Sequence, residues 1–522
     1  MAGPYILTHD IGTSSNKAVL FTVHGELVAS ARQEYTLTYP EPQHVEQDPF
    51  DWLRAIYATT HRVLQTSGIT PQDIAAVTFA CQMQTLVAVD RDGQPVYPAL
   101  SWLDTRAEGI MRKFWKWPRV KGYNLFYLQR FLRITGGSPG HTGKDPIGKI
   151  IWLRENRPEL FKKTYKFLDA KDFVVFHLTG RFVKSADMAV VWWLLDTRRN
   201  RNQWHPKLCR MAGIDPQQLP EVEESAALVG QLTAEAARHM GLKAGTPVVN
   251  GAGDISSSAL GSGAIQEGEL NIRLGTSGGV AGHYTKRKID LSHYAGCIGS
   301  TWPKKYFLAL AHQETVGICY EWMKDRILYH KEQLKTEAHV EEVYQILDQL
   351  AADAPPGADG LMFTPWMYGE RCPLDDHYVR SCLFNLSLHH DKRHLMRAVL
   401  EGIAFNLRWA LEVLEKLYQP VEEVAIIGGG ARSAIWCQII ADVTNRRIQQ
   451  VEDAQQANAR GVALLASLAL GYITSFESIK QYIKIKKTFF PNAANRKLYD
   501  RLYVEFKNIY KQNKGWFRRL NA

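Results

Sequence analysis

Residues 248–282 read VVNGAGDISSSALGSGAIQEGELNIRLGTSGGVAG, and this stretch decides the architecture. It opens on an apolar strand and sets a carboxylate, Asp254, in the Gly/Ser-rich turn that follows. The small residues over 256–263 have the composition of a tightly packed helix. A second strand over 269–274 ends in the turn Gly275-Thr276-Ser277-Gly278-Gly279. A carboxylate at a strand end can take a proton. A Gly/Thr/Ser turn can wrap phosphate, because its backbone N–H groups converge with no side chain in the way. One base and one phosphate cradle near mid-chain point to phosphoryl transfer at a cleft between two domains.

A chain of 522 residues has room for two or more domains. With 45% hydrophobic and 22% charged residues it falls among ordinary globular proteins and can bury two cores. No apolar run reaches the roughly 18–20 residues of a membrane span. The nearest, 461–473, is too short. The first residues, MAGPYILTHDIGTS, carry neither the charged region nor the apolar core of a secretion signal. Seven cysteines at irregular spacing without CxxC argue against a disulfide framework or a zinc site, and a reducing cytoplasm is the expected compartment. The net charge of +10 collects over 112–121 and beyond Lys480, with no helix-turn-helix or RNP pattern, so these read as solvated basic faces. Neither nucleic acid nor membrane is an expected partner.

The N-terminus repeats the central pattern. A strand over 5–10 ends in Asp10, a turn over 11–17 follows, and a second strand covers 18–22. The turn offers a phosphate its amides, Thr13 and Lys17, while Asp10 suits a hydrated Mg²⁺, an ion that takes few carboxylates and keeps several waters. The likeness to Leu274-Gly275-Thr276-Ser277-Gly278 suggests duplicated domains, each giving one phosphate loop to the same nucleotide. The continuous apolar character of 75–79 fits a strand in a sheet covered on both faces. Its end, Gln82-Met83-Gln84, lies where ligands usually sit in open α/β sheets.

DIGTSSNKAVLF at 10–21, GAGDISSSALGSG at 251–263 and LGTSGG at 274–279 together resemble the FGGY family of carbohydrate kinases, and the likeness runs from Tyr5 to the C-terminal helices. Gln47-Asp48-Pro49, Ala80-Cys81-Gln82-Met83-Gln84 and Ser101-Trp102-Leu103-Asp104-Thr105-Arg106 are similar to family segments. So are Lys149-Ile150-Ile151-Trp152-Leu153 and 381–401, with Asn385 where a Gly is usual. Gly428-Gly429-Gly430-Ala431-Arg432-Ser433, with Trp436 and Ala441-Asp442, resembles the adenosine-binding turn and helix.

The resemblance implies an α/β fold of two actin/Hsp70/hexokinase-like (ribonuclease H-like) ATPase domains with an interdomain catalytic cleft. Residues 1–262 would bind sugar and hold the first phosphate loop and the catalytic Asp254. Residues 263–522 would bind ATP and carry the C-terminal helices. ATP is the implied co-substrate, bound by Gly12, Thr13, Ser14, Lys17, Gly275, Thr276, Ser277, Gly429, Gly430, Ala431 and Ser433. Mg²⁺ would sit on Asp10 through water. The sugar would meet Gln82, Met83, Gln84, Trp102, Asp104, Arg106 and Asp254. Asp104 and Arg106 offer it an acceptor and a donor, or else form a local salt bridge. Trp102 covers a sugar face or packs in the core. Asp254 acts as general base and can also cap the following helix.

The Gln82-Met83 pair is shared with xylulokinase-type and gluconate-kinase-type members, whereas Gln84 replaces the usual His and Ile255 the usual Asn. A ketopentose such as D-xylulose is the expected substrate. Another ketose, a polyol, a sugar acid, or a catalytically silent sensor role are the alternatives. A homodimer is compatible with the sequence. The loop 136–143 could fold over a substrate and exclude water, and the paired Trp192 and Trp193 read as core.

Overall fold

The computed structural model describes residues 3–120, 122–198, 201–328 and 343–521. Of the basic stretch 112–121, Lys121 therefore lies outside the described residues. Two compact units form: the first takes in Met1–Gly261, Cys297–Leu308 and Asn458–Tyr482, the second Ser262–Gly296, Ala309–Ala457 and Ile483–Ala522. No helix among the described residues is long and apolar enough to cross a membrane.

The first unit is organised on a hairpin. β1 (Tyr5–Ile11) and β2 (Ser15–Thr22) pair antiparallel, with Asp10 opposite Lys17 and Ile11 opposite Asn16. The turn is therefore 12–14, tighter than the expected 11–17. Asn16 explains the difference: its buried Nδ2 donates to Thr59 Oγ1 at 2.8 Å and lies 3.2 Å from His9 Nδ1, which draws residues 15–17 into the ladder. β3 (Leu27–Glu34) continues antiparallel from β2. On the other side of β1 runs β4 (Ile74–Cys81), parallel and almost wholly buried, as its apolar run requires. β5 (Leu228–Gln231), β6 (Pro247–Val249) and β7 (Ala252–Gly253) complete a sheet ordered β5-β6-β4-β1-β2-β3, with β7 also on β4.

Register places the chemistry. Ile11 lies level with Cys81 on β4, and Cys81 lies level with Gly253 on β7, all three strands parallel. The next residue in each case, Gly12, Gln82 and Asp254, therefore leaves the sheet at one common edge. The step from β6 to β7 depends on Gly251 at φ +77°, where an added Cβ would come 2.0 Å from the Phe79 carbonyl. The helix Asp254–Gly261 starts directly after β7, two residues earlier than the small-residue run suggests. Its buried serines allow close packing: a Cβ on Gly461 would come 2.1 Å from the Ser257 carbonyl.

His9 ties β1 to the helix Pro49–Ser67 beneath it, with Nε2 3.3 Å from Thr60 Oγ1. Burial pulls its pKa down to about 3, so it is neutral in the folded protein. Because the unfolded chain takes up this proton near pH 6.5 and the folded one does not, the stabilisation is complete above that pH. It is lost as pH falls towards 3. At pH 5 the loss is about 2 kcal/mol. His9→Gln is expected to lower Tm at pH 7.5 and to narrow its gap to the wild type at pH 5, as read by calorimetry.

The second unit repeats the hairpin. β8 (Leu270–Leu274) and β9 (Gly278–Tyr284) pair antiparallel around the turn 275–277. β10 (Gly296–Gly299), β11 (Phe307–Gln313), β12 (Glu423–Ile427), β13 (Arg447–Val451) and β14 (Ile485–Phe489) give a sheet ordered β10-β11-β9-β8-β12-β13-β14, of which residues 297–299 and 307–308 group with the first unit. β12 lies parallel to β8 with Ile427 level with Arg273, so the Gly428 turn and the Gly275 turn leave neighbouring strands at the same end. The helix Lys392–Leu417 is buried along most of its length, as its apolar spacing requires. Tyr499, Leu502, Tyr503 and Phe506 form the buried stripe of the C-terminal helix Arg496–Asn521.

Candidate active site

Asp254 stands at the first position of its helix, where Oδ1 accepts the Ile255 N–H at 2.9 Å. The strand end before it is held from an unexpected direction. Gly253 N donates to Asp187 Oδ2 at 2.8 Å, and Ser225 Oγ donates to Asp187 Oδ1 at 3.0 Å. Asp187 is fully buried and lies far upstream in the chain, so nothing in its local sequence announces the role.

The turn 12–14 is clamped through its carbonyls. Tyr35 OH donates to Gly12 O at 2.5 Å, Gln47 Nε2 to Thr13 O at 2.9 Å and Tyr35 N to Ser14 O at 3.0 Å. In a planar trans peptide the N–H points opposite to the C=O. The amides of Thr13 and Ser14 therefore face away from these donors, as a phosphate cradle needs. Lys17 sits across the ladder from Asp10, and Asn458 Nδ2 approaches Asp10 Oδ2 at 3.5 Å. The turn 275–277 is tied in the same manner within the second unit. Gly317 N donates to Gly275 O at 2.8 Å and Val316 N to Thr276 O at 3.1 Å, which turns the amides of Thr276 and Ser277 the other way.

The expected sugar residues divide into two groups. Gln82 is 4% exposed, and its N–H donates to Ile11 O at 2.8 Å, which fixes the segment to β1. Met83 is buried beside Gly253. Gln84 adopts φ +66°, and its Nε2 donates to Asp145 Oδ1 at 2.7 Å. Trp102 is half-buried, and its Nε1 donates to Thr13 Oγ1 at 2.8 Å, so it joins the phosphate turn instead of filling a core. These four lie in segments tied to the common strand edge or to its turn.

Asp104 and Arg106 are engaged elsewhere. Asp104 accepts from Val45 N at 2.7 Å and from Arg106 Nε at 2.9 Å, and Arg106 also reaches Glu46 Oε1 at 2.8 Å. Both side chains are wholly buried, and the guanidinium lies 4.9 Å from the Trp152 ring centre. Burial opposes the charge on Arg106, but the carboxylates of Asp104 and Glu46 outweigh it and raise its pKa. Of the two roles open to the pair from sequence, it takes the local salt bridge, which ties residues 104–106 to Val45 and Glu46.

Lys149 is a further brace. Its buried Nζ donates to Gln84 O at 2.8 Å and to Ser101 O at 2.7 Å, joining the segments 82–84 and 101–106. Burial pulls its pKa down to about 7 against the attraction of Asp104 and Asp145. Asp145 also takes Trp193 Nε1 at 2.6 Å and Gly140 N at 2.7 Å, so the loop 136–143 is anchored at the same carboxylate as Gln84. Trp193, read from sequence as core, is only half-buried and serves this anchor.

In the second unit the chain from β12 passes through Gly428 into a short turn, Gly429–Arg432. Ala431 O accepts from Gln450 Nε2 at 2.6 Å, and Ser433 Oγ caps the helix Ala434–Thr444 by accepting Trp436 N at 3.1 Å. A Cβ on Gly429 would meet nothing within 4 Å, so this backbone stands open, whereas one on Gly430 would meet Trp436 at 2.5 Å.

Known proteins resemble this chain over nearly its whole length. The model of the FGGY family of carbohydrate kinases, N-terminal domain, matches residues 5–261, and that of its C-terminal domain matches 270–470. A xylulose kinase of Bacillus subtilis strain 168 is 30% identical, over 98% of this chain and 97% of that protein. A gluconokinase of the same strain is 29% identical, over 97% of this chain and 95% of that protein. The crystal structure of a ligand-bound xylulose kinase from Lactobacillus acidophilus superposes with a TM-score of 0.86 at 26% identity, covering 99% of this chain and 100% of that one. Two hairpins with carbonyl-tied turns, a strand-end aspartate and these end-to-end matches lead to one conclusion: the chain belongs to the FGGY family of carbohydrate kinases, enzymes that use ATP as co-substrate.

Proposed function

We propose that this kinase transfers the γ-phosphoryl group of ATP to a hydroxyl of a neutral ketose of the D-xylulose class, with Asp254 as general base. The observation that carries the reading is the shared edge of β1, β4 and β7, which brings Gly12, Gln82 and Asp254 out of the sheet side by side. In the first unit the amides of the turn 12–14 suit ATP phosphates, and in the second those of the turn 275–277 do the same. Gly429, Gly430, Ala431 and Ser433 form the backbone against which the adenosine rests. Asp254 accepts the hydroxyl proton while the oxygen–phosphorus bond forms and the bond to ADP breaks. Asp10 fits Mg²⁺: a single carboxylate at a strand end, beside an amide-lined turn, matches an ion held by one or two carboxylates, water and phosphate oxygens. Bound there, Mg²⁺ would neutralise charge on the phosphates. A reducing cytoplasm is the compartment that goes with this reading, as seven irregularly spaced cysteines without CxxC suggest.

Charge favours a neutral sugar. The two cations in the matched substrate segments, Arg106 and Lys149, are buried and donate to carboxylates and carbonyls of the protein. Gln82 Oε1 and Asp254 are acceptors suited to hydroxyl donors. A sugar carboxylate would meet no guanidinium in these segments. One observation favours the sugar-acid reading, the ammonium of Lys144 at 5.9 Å from the Trp102 ring centre. The kcat/KM for D-xylulose is expected to exceed that for D-gluconate by about 10²-fold, since unpaired polar groups discriminate strongly. Preference for D-gluconate, lost in Lys144→Met, would replace the ketose with a sugar acid.

A further inference from the structure

A chain of amides connects the phosphate turn to the sugar segment inside the first unit. Gln47, buried at the start of the family-like Gln47-Asp48-Pro49, donates from Nε2 to Thr13 O at 2.9 Å. Its Oε1 accepts from Gln82 Nε2 at 3.2 Å. The direction of both amides follows from chemistry. A backbone carbonyl can only accept, so the nitrogen of Gln47 must face Thr13. Its oxygen then faces Gln82, which must present nitrogen in turn.

Gln82 Oε1 is thereby turned away from Gln47; it is buried and has no hydrogen-bond partner among the described residues. Buried acceptors without donors are rare in native proteins, and such an orphan one residue past a strand end invites a ligand donor. At the other end, the bond to Thr13 O sets the plane of the peptide between Thr13 and Ser14, and with it the direction of the Ser14 N–H. Trp102, from the second substrate segment, holds the same residue through Thr13 Oγ1 at 2.8 Å.

We propose that Gln47 is a positioning residue that couples sugar binding to the nucleotide-phosphate turn. A sugar hydroxyl donating to Gln82 Oε1 strengthens and orders the Gln82–Gln47–Thr13 chain, because hydrogen bonds in series polarise one another. The Ser14 amide is then held in its phosphate-binding direction. By linkage the effect is mutual: the sugar tightens ATP and ATP tightens the sugar by the same factor. With the sugar absent the turn holds ATP less firmly, which limits transfer to water. The inference rests on the sugar-kinase reading of the Asp254 site.

The test is a matrix of KM values for Mg-ATP and D-xylulose, each measured at low and saturating partner, in the wild type, Gln47→Leu and Gln82→Leu. In the wild type the KM for ATP should fall as D-xylulose rises. Gln47→Leu should raise both KM values by about tenfold, the effect of losing two neutral hydrogen bonds, and should abolish their mutual dependence. Gln82→Leu cuts the chain at its far end and should also raise the KM for ATP, which decides the matter if Gln47→Leu does not fold. A rise confined to the KM for D-xylulose in either variant, with the KM for ATP and sugar-free ADP release unchanged, would overturn the coupling. Failure of the wild type to release ADP with D-xylulose, other ketoses, polyols or sugar acids would instead overturn the kinase reading on which the coupling rests.

Discussion

Asp254→Asn is expected to bind ATP as the wild type does and to transfer phosphate about 10²–10⁴ times more slowly, the contribution typical of a positioned general base. The substitution is nearly isosteric. It keeps an oxygen to accept the Ile255 N–H, which Asp254 Oδ1 accepts at 2.9 Å, so the helix start should persist. The tie from Gly253 N to Asp187 does not involve the Asp254 side chain and should hold the strand end in place. What the amide cannot do is take a proton from the attacking hydroxyl. A helix-capping role alone would cost stability and leave kcat near normal. The two roles therefore separate cleanly: rapid-quench measurement of transfer, alongside equilibrium titration with ATP, should show loss of the first and retention of the second.

Lys149→Met carries the other large effect, and it falls on stability and sugar affinity together. Methionine fills similar space but donates nothing, so Gln84 O would lose its donor, while Ser101 O keeps the Asp104 N–H at 3.0 Å. Each stranded buried acceptor costs about 1–3 kcal/mol. Removing the cation near Asp104 and Asp145 adds to this, and breaking a buried charged cluster costs about 3–5 kcal/mol. Surface lysines lost to Met rarely cost more than about 0.5 kcal/mol, so burial decides the outcome. The variant should melt several degrees lower, and its KM for sugar should rise more than its KM for ATP, because the segments 82–84 and 101–106 lose their common tie. An unchanged melting temperature would show that the brace carries no load.

The parts of this site that are local in the chain are legible in the amino-acid sequence itself. The strand–Gly-Thr-Ser–strand hairpins announce themselves because composition and order alone encode a turn that exposes amides. Asp254 is legible for the same reason, a carboxylate between an apolar strand and a small-residue helix. Gln47, Asp187 and Lys149 are legible only as motif members or not at all, since their work is done through contacts with residues far away in the chain. Asp104 and Arg106 leave two roles open in sequence, a ligand contact or a local salt bridge. Their complete burial against Glu46 and Trp152 decides for the salt bridge. The tightening of the first turn to 12–14 hinges on Asn16, whose polar side chain gives no hint that it is buried against Thr59 and His9.

The most direct test of the central claim is ADP release from the purified protein with Mg-ATP, run with and without D-xylulose and across other ketoses, polyols and sugar acids. Little release is expected without sugar, with a large increase on adding a ketose and a phosphorylated sugar formed in equal amount to ADP. Release of ADP at the same rate with and without every sugar in the panel would rule out sugar phosphorylation.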